Sequence, residues 1–69
     1  MKISAKNSLQ GTVKSIKAGS VNDEVVIELP GGTCITAIIT RSSTESLGLE
    51  VGATAYAIIK ASSVMVGVD

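Results

Sequence analysis

The Pro30-Gly31-Gly32 turn, set between two runs of β-branched residues, constrains the fold of this chain more than any other feature. Proline presets the first corner of a tight turn and glycine accepts the positive φ that follows, so the flanking runs fold back antiparallel as a hairpin. Before the turn, a strand period of two puts Val25, Ile27 and Leu29 on one face and Val26 on the other. After it, Cys34 to Thr40 reads as a further strand, with Ile35, Ala37 and Ile39 on one face and Cys34, Thr36 and Ile38 on the other. Apolar residues on both faces predict burial on two sides, by the domain's own core and by a neighbour.

Upstream, Leu9, Gly11 and Val13 share a phase that Ile16 breaks, which predicts a long strand with a bend or bulge that Gly11 permits. Lys17-Ala18-Gly19-Ser20 reads as a turn, and Val21, Asn22 and Asp23 lead into the second strand. Downstream, Ser42-Ser43-Thr44-Glu45 matches a capping box, and Leu47-Gly48-Leu49 supplies an apolar contact and a glycine stop, so one short helix is expected. Glu50-Val51-Gly52 then turns into a fourth strand, Thr54 to Lys60, and Ser62-Ser63 separates it from a fifth, Val64 to Val68. The order β-β-β-α-β-β over a single domain, residues 1–69, predicts an all-β OB-fold: a five-stranded Greek-key barrel with one short helix between strands 3 and 4. An SH3-like barrel, which usually has no helix there, ranks second.

A chain of 69 residues buries only about 60% of the surface it exposes when unfolded, so its core needs a supplement. One cysteine, Cys34, cannot form an internal disulfide, and without histidine a structural zinc site lacks ligands. Oligomerisation is the supplement that remains. Hydrophobic residues are 45% of the chain, yet Phe and Trp are absent and Tyr56 is the single aromatic. Tyr56 alone cannot build the stacking platform of a single-strand binder, and six basic and six acidic residues cancel, which removes the broad positive field of a phosphate-backbone binder. No apolar run approaches the roughly 20 residues of a membrane span, and the N-terminus lacks the apolar core of a secretory signal, so a cytoplasmic protein is expected. Catalysis is not expected, because histidine is missing, the acids are scattered, and Cys34 sits in a strand with no basic partner nearby in sequence.

Three segments, Ile3-Ser4-Ala5-Lys6-Asn7, Leu47-Gly48-Leu49 and Ile59-Lys60-Ala61-Ser62, resemble those of the molbindins, small cytoplasmic proteins that bind molybdate or tungstate. The resemblance covers nearly the whole chain. It implies a homo-oligomer, a hexamer built as a trimer of dimers, with oxyanions at subunit interfaces and no nucleic-acid or membrane partner. It further implies one class of site made by Ser4, Ala5, Lys6 and Asn7, by Thr40 at the end of the third strand, and by Lys60, Ala61 and Ser62. A second class, near the threefold axis, falls around Gly19, Ser20, Val21 and Asn22. The metal is bound as its oxyanion, with no direct metal ligand and no cofactor. Relatives commonly carry arginine where this chain has Lys6, and lysine lacks arginine's rigid bidentate fork.

Those residue types suit the ligand. A tetrahedral dianion accepts hydrogen bonds and donates none, so its pocket should contain donors and exclude carboxylates. Serine and threonine hydroxyls, backbone N–H groups and the Lys60 ammonium meet that demand, and the charged donor forms the strongest of these bonds. The plainer readings are a solvated lysine at a strand end for Lys60, a polar strand start for Ser4 and a turn residue for Asn7. Ser42, Ser43 and Thr44 read as helix capping, with Glu45 filling the place an anion would take. Storage or buffering of molybdate is therefore the leading expectation; a purely structural OB oligomerisation module is the alternative, and a single-stranded nucleic-acid binder is a weaker one.

Overall fold

A computed structural model describes residues 1–69. The chain forms strands β1 (Asn7–Ala18), β2 (Asn22–Glu28) and β3 (Cys34–Thr40), helix α1 (Arg41–Ser46), strand β4 (Thr54–Ile59) and a terminal 3-10 turn, Ala61–Ser63. The strands make one antiparallel sheet in the order β3-β2-β1-β4, curled so that β2 also touches β4 across β1. The all-β class and the single helix between the third and fourth strands agree with the sequence.

The long strand β1 organises the sheet by serving two partners. Its first half pairs with β4, from Asn7 opposite Ile59 to Thr12 opposite Thr54. Its second half pairs with β2, from Thr12 opposite Glu28 to Ala18 opposite Asp23. The register slips between Val13 and Ser15, so the bulge falls at Lys14 and not at Gly11; the extra residue returns Ile16 to the core side. Gly11 has a different role, since a Cβ there would lie 2.5 Å from the Glu28 carbonyl oxygen and 2.7 Å from Ile27 Cγ2. It lets the end of β2 cross β1 at the point where β1 changes partners.

Val13, Val25, Ile27 and Ala57 form the buried core, and Ile16, Leu29, Ile35 and Ile39 pack on it. The alternation read in β2 and β3 is thus observed, with Cys34, Thr36 and Ile38 outward. Burial of β3 on both faces does not occur within one chain, where Ile38 is 62% exposed.

Helix α1 is capped two residues earlier than expected, at Thr40 and not at Ser42. Thr40, extended at φ −71° and ψ 152°, accepts the Ser43 N–H on its Oγ1 at 3.1 Å, so Ser42 is already helical and Glu45 does not close a capping box. The last residue of a strand already has the extended backbone that a cap requires. At the far end Gly48, at φ 62°, terminates the helix, and Leu49, not Leu47, packs on the core.

The expected fifth strand is absent from the sheet. Residues 64–69 follow the 3-10 turn without regular structure, and Val66 is 91% exposed. A strand-forming sequence needs an edge to pair with, and neither β3 nor β4 receives it here. An apolar trough of about 530 Å³ stays open, lined from β3 by Ile35 and Ile39 and from β4 by Ala57 and Ile59.

Gly11→Ala should destabilise the protein by about 1–3 kcal/mol, because the new methyl must displace backbone and not a flexible side-chain tip. Urea unfolding followed by far-UV circular dichroism measures this, and an unchanged midpoint would contradict the close approach.

Candidate functional site

Because β1 and β4 run antiparallel, the start of one meets the end of the other. Asn7 stands opposite Ile59, and its Nδ2 donates to the Ile59 carbonyl at 3.1 Å, which locks the ladder's end. One residue outside that pair on each strand lie Lys6 and Lys60, both exposed and neither in an ion pair. Lys60 also opens the 3-10 turn, its carbonyl accepting the Ser63 N–H at 2.8 Å, so that Ala61 and Ser62 leave the strand direction just beyond it. Ser4 and Ala5 precede Lys6 as exposed and half-buried residues. Seven of the eight residues of the first site class therefore meet at one end of the sheet.

The electrostatics there are one-sided. Segments 1–10 and 54–63 contain three lysines, Lys2, Lys6 and Lys60, and no aspartate or glutamate. Two neighbouring strand ends carrying unpaired ammonium groups repel each other and attract an anion placed between them. Such a locus can hold an oxyanion by charge and by hydroxyl and backbone donors.

Thr40 is the exception. It pairs with Asn22 on β2, beside the Ala18–Asp23 pair that ends β1. Lys6 and Lys60 lie by the opposite end of β1, a strand of twelve residues. At about 3.3 Å per residue such a strand approaches the molecule's longest dimension of 35 Å. One chain does not bring Thr40 to the lysines. It brings Thr40 to the Gly19–Asn22 turn, the second candidate region, whose residues are all exposed. The Thr40 hydroxyl is engaged locally, accepting from Ser43 N–H and donating to Ser43 Oγ at 2.8 Å, with Ser42 Oγ at 3.2 Å.

The sequence reading missed two residues in this second cluster. Asp23 is buried, with Oδ1 3.6 Å from Arg41 Nε, and the Arg41 guanidinium also donates to the Gly19 carbonyl. The Gly19 N–H donates to the Asn22 carbonyl at 2.9 Å, which closes the turn. The signal was available, because counting back by twos from Ile27 and Val25 puts Asp23 on the inward face.

The other features carry less chemistry. A polar concavity of about 630 Å³ lies beside the Pro30-Gly31-Gly32 turn and contains none of the donors above. Cys34 does have a basic neighbour, contrary to the linear reading: Lys14 Nζ lies 4.0 Å from its sulfur and 4.0 Å from Glu28 Oε2, with Lys14 and Cys34 exposed and Glu28 half-buried. Strand pairing explains an approach that sequence distance conceals, since Cys34 stands opposite Glu28 and Glu28 opposite Thr12, two residues from Lys14. No group of three or more His, Cys, Asp or Glu side chains is placed to hold a metal ion, and no helix is long and apolar enough to cross a membrane.

A curled four-stranded sheet with an acid-free cluster of donors at one end defines a small all-β binding domain. The chain belongs to the TOBE domain family, whose model matches residues 3–66, and is a molbindin-like member of it. It is 54% identical over its whole length to a probable molybdenum-pterin-binding protein of Haemophilus influenzae, which it also covers completely. Among solved structures it is similar to MopII from Clostridium pasteurianum, at 45% identity and TM-score 0.92 over 97% of this chain and all of that one. It is also similar to ModG, a cytoplasmic molybdate-binding protein solved with molybdate bound, at 51% identity and TM-score 0.95 over all of this chain and 49% of that one.

Thr40→Val should cost about 1 kcal/mol of stability through loss of the helix cap, whereas Thr40→Ser should be near neutral. Thermal unfolding of the two variants checks this, and equal losses would show that the hydroxyl does not cap.

Proposed function

We propose that this protein binds molybdate at the interface between copies of its own chain, and so stores or buffers the anion in the cytoplasm without catalysing a reaction. Tungstate, a dianion of the same shape and charge, is the second ligand the site should take. The observation that carries this reading is the division of the donor set. Ser4 to Asn7 and Lys60 to Ser62 converge at an acid-free sheet end, while Thr40 sits at the other end of β1. The complete set of donors then requires two copies, one giving the lysine pair and the other giving Thr40. Assembly has its own driving force in the open apolar trough and in the exposed Val64, Met65, Val66 and Val68. A hexamer arranged as a trimer of dimers would offer both the lysine sites and a second class at the Gly19–Asn22 turns. The molybdate bound to the similar ModG structure, and the molybdenum-pterin-binding relatives, support the choice of ligand.

The apolar trough and segment also favour the second reading, a structural oligomerisation module indifferent to anions. Titration calorimetry of anion-stripped protein with molybdate, paired with light-scattering mass measurement, separates the two. The proposal expects heat, thermal stabilisation and a mass held or raised by molybdate, since a ligand shared between copies favours assembly by linkage. Lys60→Met should weaken binding by about 10- to 100-fold, the scale of one hydrogen bond to a charged group. An oligomer that gives no heat and no stabilisation at millimolar molybdate would leave only the structural module.

A further inference from the structure

Arg41 is the only arginine in the chain, and the donor set above does not use it. Its three polar contacts all reach the segment from Gly19 to Asp23. The backbone N–H donates to the Val21 carbonyl at 2.9 Å, Nη2 donates to the Gly19 carbonyl, and Nε faces Asp23 Oδ1 at 3.6 Å. Asp23 is 4% exposed and its Oδ1 has no hydrogen-bond partner, so the guanidinium is the one positive charge beside a buried acid. The two contacts are made from different nitrogens of one rigid plane, Nη2 and Nε, a fixed spacing that the single nitrogen of a lysine ammonium cannot reproduce.

We propose that Arg41 is a positioning residue for the Thr40 donor, an inference that rests on the molybdate-binding reading above. Arg41 follows Thr40 directly, and Thr40 pairs with Asn22, so the clamp and the pairing join residues 19–23 and 40–41 into one block. The block fixes the junction of β3 and α1, and with it the position of Thr40 Oγ1, whose one proton turns from Ser43 Oγ to the anion when it binds. Hydrogen bonds weaken steeply once the donor angle falls below about 120°, so a junction free to turn would lose the contact without losing the hydroxyl. Arg41 also neutralises Asp23, whose charge would otherwise repel a dianion approaching Thr40 or the Gly19–Asn22 turn.

The test is a double-mutant cycle read by molybdate affinity, below the unfolding temperature of every variant and with matching oligomeric mass. Thr40→Val and Arg41→Gln should each weaken binding about tenfold, and the double variant should bind no more weakly than Thr40→Val alone, because no hydroxyl is left to position. Arg41→Gln binding like wild type, or losses with Thr40→Val that multiply, would overturn the positioning role and leave molybdate binding intact. Wild-type protein that binds no molybdate would remove both. If Arg41→Gln does not assemble, Arg41→Lys, which keeps the charge but not the fork, replaces it under the same criteria.

Discussion

One strand pairing with two neighbours in succession sets the rest of this structure. β1 gives Asn7–Thr12 to β4 and Thr12–Ala18 to β2, and where the two pairings overlap at Thr12 the sheet curls and another backbone comes close. The bulge at Lys14 provides the bend, and the missing side chain at Gly11 provides the approach of Glu28. From this follow the small core around Val13, the meeting of the two lysine-bearing segments at one end, and the location of the Thr40–Arg41 block at the other. The sheet acts as a ruler that keeps two donor groups of the same polypeptide apart.

Much of this fold was legible where local chemistry and long-range packing agree. The Pro30-Gly31-Gly32 turn, the alternation in β2 and β3 and the single helix after Thr40 each need only neighbouring residues to specify them. Where two local solutions compete, the linear reading chose wrongly. Ser42 and Thr40 are both good caps, and the strand's extended end decides for Thr40; Gly11 and Lys14 are both within reach of a bend, and the pairing register decides for Lys14. Val64 to Val68 has the composition of a strand, but a strand is defined by its partner, which composition does not reveal.

The candidate site divides in the same way. Convergence of Ser4–Asn7 with Lys60–Ser62 follows from two antiparallel strands and could be anticipated from their order. Thr40 was grouped with them by resemblance alone, and the geometry of one chain puts it beside Asn22 instead. Asp23 and Arg41 escaped notice because a charged residue at a strand end usually faces water. Here the period of the strand outweighs the polarity of the residue, and the buried carboxylate is tolerated through its arginine.

Tyr56, the lone aromatic, lies on β4 opposite Gln10, forms part of the apolar trough and is 45% exposed. The protein therefore has one aromatic chromophore in the near ultraviolet, on the rim of the open trough. Its emission is unmixed with that of any tryptophan. Anything that covered the trough would change the solvation of that phenol ring, so the molecule carries an optical gauge of the trough's exposure without the addition of a dye.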